Sequence, residues 1–553
     1  TMNFLLNRSI RQVEGFAYDV DPFKYAYLTS RAIPCYNEDG SLCYHEKGGT
    51  YNESFNTDVF NYNIVNEQNN TGSKNKTRTW GATIDLQLEV LPGLKYQGLL
   101  GYTSSSADTK QWATEHSYYI TAIRGYEYGA YMPSDEEINR SPLPYGGLLE
   151  TDLTNTTSIT VQNSLVYDKM FGEKHRMTLQ LGIETNSLKT EGQTDAQYGY
   201  LPDRGETFSM PPLQYYMIYQ DYRDNATYAQ GAHSVLNRVE NKMSEYGMAV
   251  YTYDNRYVLN LSGRVDASNR FGQDKNKRFQ PTWSVGLKWR VFDEPFARRK
   301  WWANNLDVYA SYGYQGNAVS TVSPELITSF TNEFNYNGAN SQKIVSVPYP
   351  DLGWEKTKTW NVGVDGALLN GRLNFTVNYF QKTSKVLSSR AIPFENGNGN
   401  GIVGSTIMKN NGYDLILNLI PVKAGDFTWQ LSLNTSVTKN SMETKRENLL
   451  SDFTSGSCII KGRPFSTFYS YVFTGLDKEY GQPLFKNITQ YGSGSSIAES
   501  VDNITDIMVE SGKFTPDFSG GMNTMFKWRN ISLYALFAVQ WGGHNRLPDI
   551  FNM

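Results

Sequence analysis

Clustered aromatic side chains are the groups of this chain that are best suited to recognition. They are concentrated in three stretches without a strand-like pattern, 126–131, 215–222 and 465–485. Aromatic faces suit sugar rings, and tyrosine is also enriched at protein interfaces. The alternative is internal packing of long loops. We predict contacts with a ligand or a partner protein at Tyr215, Tyr216, Tyr219, Tyr222, Phe468, Tyr469 and Tyr471.

Residues that could carry out catalysis or bind a metal are scattered. None of the 5 histidines stands at ligand spacing from another, and no cysteine accompanies them as zinc requires. Gly399–Gly404 (GNGIVG) matches a dinucleotide-binding pattern. Such a site needs a strand before it and a helix after it, so we interpret this motif as a flexible loop apex. We predict no catalytic residue, no metal site and no cofactor.

Two cysteines flank a turn-like segment near the start of the chain. Cys35 and Cys43 enclose Asn37–Ser41 (NEDGS), whose residue types favour a turn. A disulfide that staples a hairpin is one interpretation, because cell-envelope compartments are oxidising, and two free thiols are the other. Cys458 is left without a partner in either case.

Composition excludes several classes of protein. The longest uninterrupted apolar stretch, Leu533–Val539, has seven residues, whereas a membrane-spanning helix needs about 20. A net charge of −4 provides no basic excess for nucleic acid. Aromatic residues make up 14% of the chain, which excludes a disordered polymer.

Strict alternation of polar and apolar residues dominates the rest of the sequence. Ile84, Leu86, Leu88 and Val90, for example, alternate with polar residues. This period of two predicts strands with one apolar and one polar face. Most are eight to twelve residues long, which fits membrane strands of about 9–11 residues. We predict fourteen strands, at about 83–90, 94–102, 158–167, 176–185, 246–253, 257–265, 282–292, 305–314, 359–368, 372–381, 412–421, 427–437, 517–527 and 530–541.

The lengths of the connections alternate as well. Short links such as 91–93, 254–256 and 369–371 follow the odd strands, and long links such as 103–157 and 438–516 follow the even ones. A transmembrane barrel has short periplasmic turns and long extracellular loops. A soluble β-sandwich or propeller is the alternative, but a propeller would repeat every 40–50 residues or so, and no such repeat is present.

The polar strand face predicts a wide barrel lumen, which must be closed by a plug. No stretch resembles a globular plug, so we expect the plug outside this sequence and the chain to be an internal piece of a larger barrel. We assign 1–82 to the barrel start and an extracellular loop region, 83–541 to the transmembrane strands with their long loops, and 542–553 to the start of an incomplete loop.

Several motifs resemble those of SusC-like TonB-dependent transporters of Bacteroidetes. Val265–Gly272 (VDASNRFG) resembles the family's DxSSRFG, and Pro350–Thr357 (PDLGWEKT) resembles PNLxWEKT. Further similar stretches are Leu306–Asn317 (LDVYASYGYQGN), Lys461–Phe485 and Lys513–Gly521 (KFTPDFSGG). The resemblance extends over roughly residues 66 to 543. Lys486–Gly512 lacks the acidic calcium-type spacing of many members, so no calcium site is carried over.

The resemblance implies a 22-stranded barrel in the outer membrane lipid, with an N-terminal plug. It also implies partners, namely the TonB complex acting through the plug, a SusD-like surface lipoprotein as a lid, and a dimer of transporter–lid pairs. The predicted function is import of oligosaccharides or oligopeptides, without enzyme activity. The alternatives are a siderophore or cobalamin receptor and an adhesin barrel that transports nothing.

Overall fold

A computed structural model describes residues 1–48, 59–129, 143, 145–209, 232–270, 279–297, 302–317, 319, 326–334, 340–346, 353–391, 400–444, 448, 452–453, 458–478, 481–486 and 507–545. The strands are β1 Met2–Gly15, β2 His45–Gly48, β3 Val59–Tyr62, β4 Thr71–Leu91, β5 Leu94–Ala113, β6 Gly147–Phe171, β7 His175–Leu201, β8 Thr207–Phe208, β9 Ala232–Tyr253, β10 Tyr257–Ser268, β11 Phe279–Arg290, β12 Ala303–Asn317, β13 Ile327–Phe334, β14 Asn340–Ser346, β15 Glu355–Leu368, β16 Leu373–Ala391, β17 Asn400–Ala424, β18 Phe427–Met442, β19 Thr467–Tyr471, β20 Phe473–Leu476, β21 Pro483–Phe485, β22 Met508–Lys513, β23 Phe518–Trp528 and β24 Ile531–Trp541. The helices are α1 Pro22–Leu28, α2 Ile64–Asn70 and α3 Tyr118–Arg124, with 3₁₀ turns at Pro202–Arg204, Val291–Asp293 and Pro295–Ala297.

One large antiparallel sheet forms the wall of the molecule. Its strand order is β1-β4-β5-β6-β7-β9-β10-β11-β12-β15-β16-β17-β18-β23-β24, and β8 pairs with β7 as a sixteenth strand. The order follows the sequence, so the wall is an up-and-down meander. The other strands form two-stranded sheets inside the connections: β2 with β3, β13 with β14, β19 with β22, and β20 with β21. None of the described helices is long and apolar enough to cross a bilayer.

Each of the fourteen predicted strands corresponds to a strand of this sheet, which confirms the predicted all-β class. The sequence pattern missed β1, which pairs with β4 along its whole length. Phe4, Leu5 and Leu6 follow one another there and break the alternation. The tertiary pairing with β4 therefore decides the structure where the period is lost.

The strand register places the apolar and polar rows on opposite faces. Leu181 of β7 lies between Leu165 of β6 and Gly247 of β9, and its neighbour Gln180 points to the other side. Leu181 is 67% exposed, and many other apolar side chains of the same face are exposed to a lesser degree. A continuous exposed apolar face on a monomer indicates contact with lipid. We call the two sides the apolar face and the polar face.

The two ends of the sheet differ in their connections. One end has tight turns at 92–93, 254–256 and 369–372, and we call it the short-turn end. Asp254 and Asn255 have φ values of 50° and 57°, the left-handed conformation of two-residue hairpin turns. The other end, the long-loop end, carries the three helices and the four small sheets.

Several strands continue far beyond their predicted boundaries at the long-loop end. β6 has 25 residues and β7 has 27, where the sequence predicted ten each. In the extension both faces are polar, as in Thr151–Thr157 paired with Lys189–Asp195, so the alternation disappears although the backbone pairing continues. The extensions also shorten the predicted long links.

The buried apolar clusters lie among the long loops. One is formed by Ala113, Ile120, Ile123, Leu143, Leu148 and Ala196, and a second by Phe60, Tyr62, Ile64, Tyr118 and Ala122. A third is formed by Phe453, Cys458, Tyr469, Ile507 and Met508. The helix α3 contributes to the first two, so it connects the strand tops of β5 and β6 to the small sheet of β2 and β3.

Candidate functional site: the polar wall and the cap

A row of polar side chains crosses four neighbouring strands on the polar face. Gln162 of β6 is opposite Glu184 of β7, which is opposite Ser244 of β9, which in turn is opposite Asp266 of β10. Side chains of directly opposed residues lie close enough to interact. The alternation of the sequence predicted this polar row, but not the pairs within it.

Arg264 joins this row into a network of one cation and two carboxylates. Its Nε donates to Asp266 Oδ1 at 2.7 Å, and its Nη2 donates to Ser244 Oγ at 2.7 Å. The Ser244 hydroxyl donates in turn to Asp266 Oδ1 at 2.6 Å. Glu184 lies 3.6 Å from Nη1 of the same guanidinium. Charge-assisted bonds of this kind fix an arginine in one orientation.

Tyr246 extends the network towards β6. Gln162 Nε2 donates to the Tyr246 hydroxyl at 2.7 Å, and the Arg264 guanidinium carbon lies 5.8 Å from the ring centroid. The ring crosses over Gly182, where a Cβ atom would lie 2.3 Å from Tyr246 Cζ. A glycine is therefore required at this position for the ring to lie against the wall.

A cleft of about 870 Å³ runs along the polar face beside this network. It is lined mainly by polar-face residues of six strands, including Tyr246, Asn260, Ser262, Arg264, Ser311 and Asn361. Hydroxyl, amide and guanidinium groups can exchange hydrogen bonds with a polar solute. They are not arranged as a nucleophile with its base, so this surface is suited to binding rather than to covalent chemistry.

The second feature is a packed unit at the long-loop end, which we call the cap. It consists of residues 16–48, 59–70 and 114–125 and contains α1, β2, β3, α2 and α3. Asn63, 1% exposed, caps α2 by accepting hydrogen bonds from the N–H groups of Val65 and Asn66 at 2.8 and 3.2 Å. Its Nδ2 donates to the carbonyls of Cys35 and Cys43 at 2.8 and 2.7 Å. The oxygen and the nitrogen of its side-chain amide are thus both used, as a buried amide requires.

A buried carboxylate connects α2 to α3. Glu67 Oε1 accepts the backbone N–H of Tyr118, at the start of α3, at 2.7 Å. Burial raises the pKa of Glu67, and the hydrogen bond from Tyr118 opposes this shift. Lys47 lies over the rings of Tyr62 and Tyr118, at 4.2 and 4.8 Å from their centroids, and burial lowers the pKa of its ammonium group. The cation is held by aromatic faces and by the charge of Glu67.

Arg124 is the last residue of α3 and holds the C-terminal end of this helix. It is 2% exposed and donates to the carbonyls of Tyr126 and Glu115, both at 3.0 Å. Its guanidinium carbon lies 5.0 and 5.5 Å from the rings of Tyr126 and Tyr128. Burial lowers its pKa. These tyrosines of the predicted aromatic stretches therefore contact a charge of their own chain.

The aromatic residues predicted to contact a ligand or partner have different environments. Phe468 and Tyr469 are 4% and 6% exposed and pack against Phe514 and Phe453, which favours the packing alternative for both. Tyr471 is partly exposed beside Phe485. Tyr215, Tyr216, Tyr219 and Tyr222 lie outside the described residues.

The glycine motif is part of a strand. Gly399 lies outside the described residues, but β17 begins at Asn400 and pairs with β16 through Gly401 and Ile402. The predicted loop apex is therefore wrong for 400–404, because pairing with Ser389 and Arg390 extends both strands. Strand and not helix follows the motif, which fits the rejection of a dinucleotide site.

Exposed aromatic residues of the cap were missed by the sequence interpretation. Phe23 and Tyr27 of α1 are 89% and 67% exposed, and Tyr36 and Tyr44 are 53% and 45% exposed. The spacing of Phe23 and Tyr27 by four residues, just after a helix-capping Asp21, was the available signal.

The model of the family "TonB dependent receptor-like, beta-barrel" matches residues 37–502. The chain belongs to this family. It is 23% identical over 553 residues to TonB-dependent receptor P3 of Formosa agariphila, covering 95% of this chain and 49% of that protein. It is 29% identical over 231 residues to SusC of Bacteroides thetaiotaomicron, covering 40% of this chain and 22% of SusC.

The fold is also that of solved transporters. The RagAB peptide importer in its "open-open" state matches with a TM-score of 0.72 at 19% identity, covering 98% of this chain and 55% of that chain. The predicted SusC-like family, the β-barrel class and the outer-membrane location are thereby confirmed. The chain spans about half the length of the curated relative P3.

Proposed function

We propose that this chain forms the wall of an outer-membrane importer for oligosaccharides or oligopeptides. Its work is to bind and pass a polar solute, and it catalyses no reaction. The observation that carries the proposal is the sorting of side chains by the strand register. One face exposes leucines to lipid, and the opposite face carries the network around Arg264 and a cleft of about 870 Å³.

The size of the cleft and its chemistry favour a solute rich in hydrogen-bonding groups. Sugars and peptides both present hydroxyl, amide or carbonyl groups that Asn260, Ser262 and Asn361 can bind. The fold shared with the RagAB peptide importer supports oligopeptides, and the motifs that resemble the SusC-like family support oligosaccharides. Energy for import would come from the TonB complex through a plug domain that occupies the lumen.

A SusD-like surface lipoprotein is the proposed lid. The exposed aromatic side chains of the cap, Phe23 and Tyr27 foremost, provide the kind of surface on which protein interfaces are centred. Since the cap is packed by its own clusters, these rings are not needed for its core. Docking of a lid would remove them from water.

The lid proposal is tested with a double substitution on α1 and a control elsewhere in the chain. Phe23→Asp combined with Tyr27→Asp should lower the yield of co-purified lipoprotein by tenfold or more, because it places charges in an apolar contact. The control is Asn255→Asp, at an exposed position of a turn at the short-turn end, which should leave the yield unchanged. Equal yields from the two variants would exclude this surface as the docking site.

The import proposal is tested by growth. A strain lacking the full-length protein that contains this chain should fail to grow on one class of oligosaccharide or oligopeptide and recover on complementation. A defect confined to iron-limited or cobalamin-limited medium would assign the protein as a chelate receptor instead. Loss of surface attachment without any nutrient defect would assign it as an adhesin.

A further inference from the structure

The hairpin that contains Cys35 and Cys43 brings the two residues face to face. Tyr36 and Leu42 form an isolated antiparallel bridge. It is flanked by two backbone hydrogen bonds, from Asn37 N–H to Ser41 O at 2.8 Å and from Cys43 N–H to Cys35 O at 3.0 Å. Cys35 and Cys43 are therefore directly opposed, one residue further from the turn than the bridged pair Tyr36 and Leu42. Directly opposed residues that share a hydrogen bond have Cα atoms about 5.5 Å apart, within the usual range of roughly 4.4–6.8 Å for a disulfide.

Two observations show that the cysteines of the hairpin are held close together. The side-chain amide nitrogen of Asn63 donates to the carbonyls of both cysteines, at 2.8 and 2.7 Å. Side chains of directly opposed residues project to the same side of a hairpin, so the two thiols lie on one side of it. Tyr36, on the opposite side, is exposed to solvent.

The thiols are unbonded in the structure and both are partly exposed, whereas the third cysteine, Cys458, is 2% exposed. An oxidant can therefore reach Cys35 and Cys43 without unfolding of the cap. Cys458 also interacts through its thiol with the Thr467 carbonyl, at 3.5 Å. Its burial raises its thiol pKa, and a protonated thiol is a poor nucleophile.

We propose that Cys35 and Cys43 form a disulfide that staples the hairpin of the cap in the mature protein. Each thiol loses one proton and one electron, a sulfur–sulfur bond forms, and the two electrons reduce the disulfide of a thiol oxidoreductase or of an oxidised small thiol to two thiols. The outer-membrane location supplies an oxidising environment. The inference rests on this location and is independent of the proposed import.

The consequence of the crosslink is a fixed base for the helices of the cap. The hairpin is joined by Asn63 to the start of α2, and Glu67 of α2 holds the start of α3. Closing the hairpin removes open conformations in which Asn63 loses both carbonyl partners. For a closed loop this short, hydrogen exchange at the bonded amides of Asn37 and Cys43 should slow by about 10- to 100-fold on oxidation.

Counting thiols tests the proposal directly. The full-length protein is purified from outer membranes without reductant, denatured in the presence of N-ethylmaleimide and analysed by mass spectrometry. Among the three cysteines of this chain, the proposal predicts label on Cys458 alone before reduction and on all three after reduction. Cys35→Ser should free Cys43, so that two residues are labelled without reductant.

Label on the buried Cys458 of the wild-type protein shows that denaturation is complete, and a Cys458→Ser variant should leave Cys35 and Cys43 unlabelled without reductant. Labelling of all three cysteines in the unreduced wild-type protein would overturn the proposal. A covalent dimer through Cys35 or Cys43 would overturn it as well, because it would show that the pair is not closed within one chain.

Discussion

Tyr246 of β9 lies across Gly182 of β7, and this contact keeps the tyrosine ring flat against the polar face. A Cβ atom at position 182 would lie 2.3 Å from Tyr246 Cζ, which no side chain tolerates without movement. The flat ring lets the hydroxyl accept a hydrogen bond from Gln162 across two strand spacings. One glycine thus determines the shape of the wall next to Arg264.

Gly182→Ala is expected to displace the Tyr246 ring and to break its bond to Gln162. Steric overlap of this kind costs about 1–3 kcal/mol. The loss of stability is measured by unfolding the purified barrel in urea. The folded fraction at each urea concentration is read from the difference in gel mobility between unheated and heated samples. Gly263→Ala is the control, because a Cβ atom there would meet nothing within 4 Å. Equal destabilisation by the two substitutions would contradict the close contact.

The two faces of β18 are expected to respond differently to charge. Leu431 belongs to the apolar face, and its neighbour Ser432 belongs to the polar face, opposite Asn418 and Asn523. Leu431→Arg should cost about 2–4 kcal/mol for insertion into the bilayer, whereas Ser432→Arg should cost little. Assembly into lipid vesicles across a urea series gives both values. Equal assembly of the two variants would show that the face assignment is wrong.

The stability of the cap is expected to fall as the pH rises above about 4.5, the ordinary pKa of Glu67. Because burial raises the folded-state pKa, the unfolded chain releases its proton first. The stabilisation present below 4.5 is then lost as the pH passes through the raised folded value. Protection factors of the α3 amides, corrected for intrinsic exchange, report this loss.

Two substitutions separate the charge of Glu67 from its hydrogen bond. Glu67→Gln keeps an acceptor for the Tyr118 N–H and should remove the fall in α3 protection that the wild-type chain shows as the pH rises above about 4.5. Glu67→Ala leaves that N–H without its partner and should cost about 1–3 kcal/mol. If Glu67→Gln kept the full pH dependence, another group would have to be its source.

The orientation of the barrel is predicted from the lengths of its connections. In a background of serine at all three cysteines, Asn255→Cys in a short turn should resist a membrane-impermeant maleimide on intact cells. Glu38→Cys in the hairpin of the cap should react. Both positions are exposed in the structure, so accessibility to solvent alone does not distinguish them. Labelling of Asn255→Cys on intact cells would show that the short turns face the outside of the cell and that the predicted topology is inverted.

The wall could be predicted from the sequence because each strand carries its own signal. Ile84, Leu86 and Leu88 alternate with polar residues, and one face in lipid with the other in water requires this period. The alternation is lost where the two faces of a strand meet the same kind of environment. Near the long-loop end, β6 and β7 are largely polar on both faces. In β1, Phe4 and Leu5 place apolar residues on both faces.

The cap could not be predicted, because its order comes from contacts between distant residues. Its helices have seven residues each, too few for a periodic pattern. Asn63 and Glu67 hold them together through backbone groups of Cys35, Cys43 and Tyr118, far away in the sequence. Asparagine and glutamate in a polar stretch give no sign of such burial.

Energised uptake tests the proposed import most directly. Cells with and without the full-length protein that contains this chain are given fluorescently labelled oligosaccharides or oligopeptides, in the presence and absence of a protonophore. We predict that accumulation of one of these classes requires the protein and is abolished by the protonophore, because TonB-driven import depends on the proton gradient. Equal accumulation of both classes with and without the protein would contradict the account.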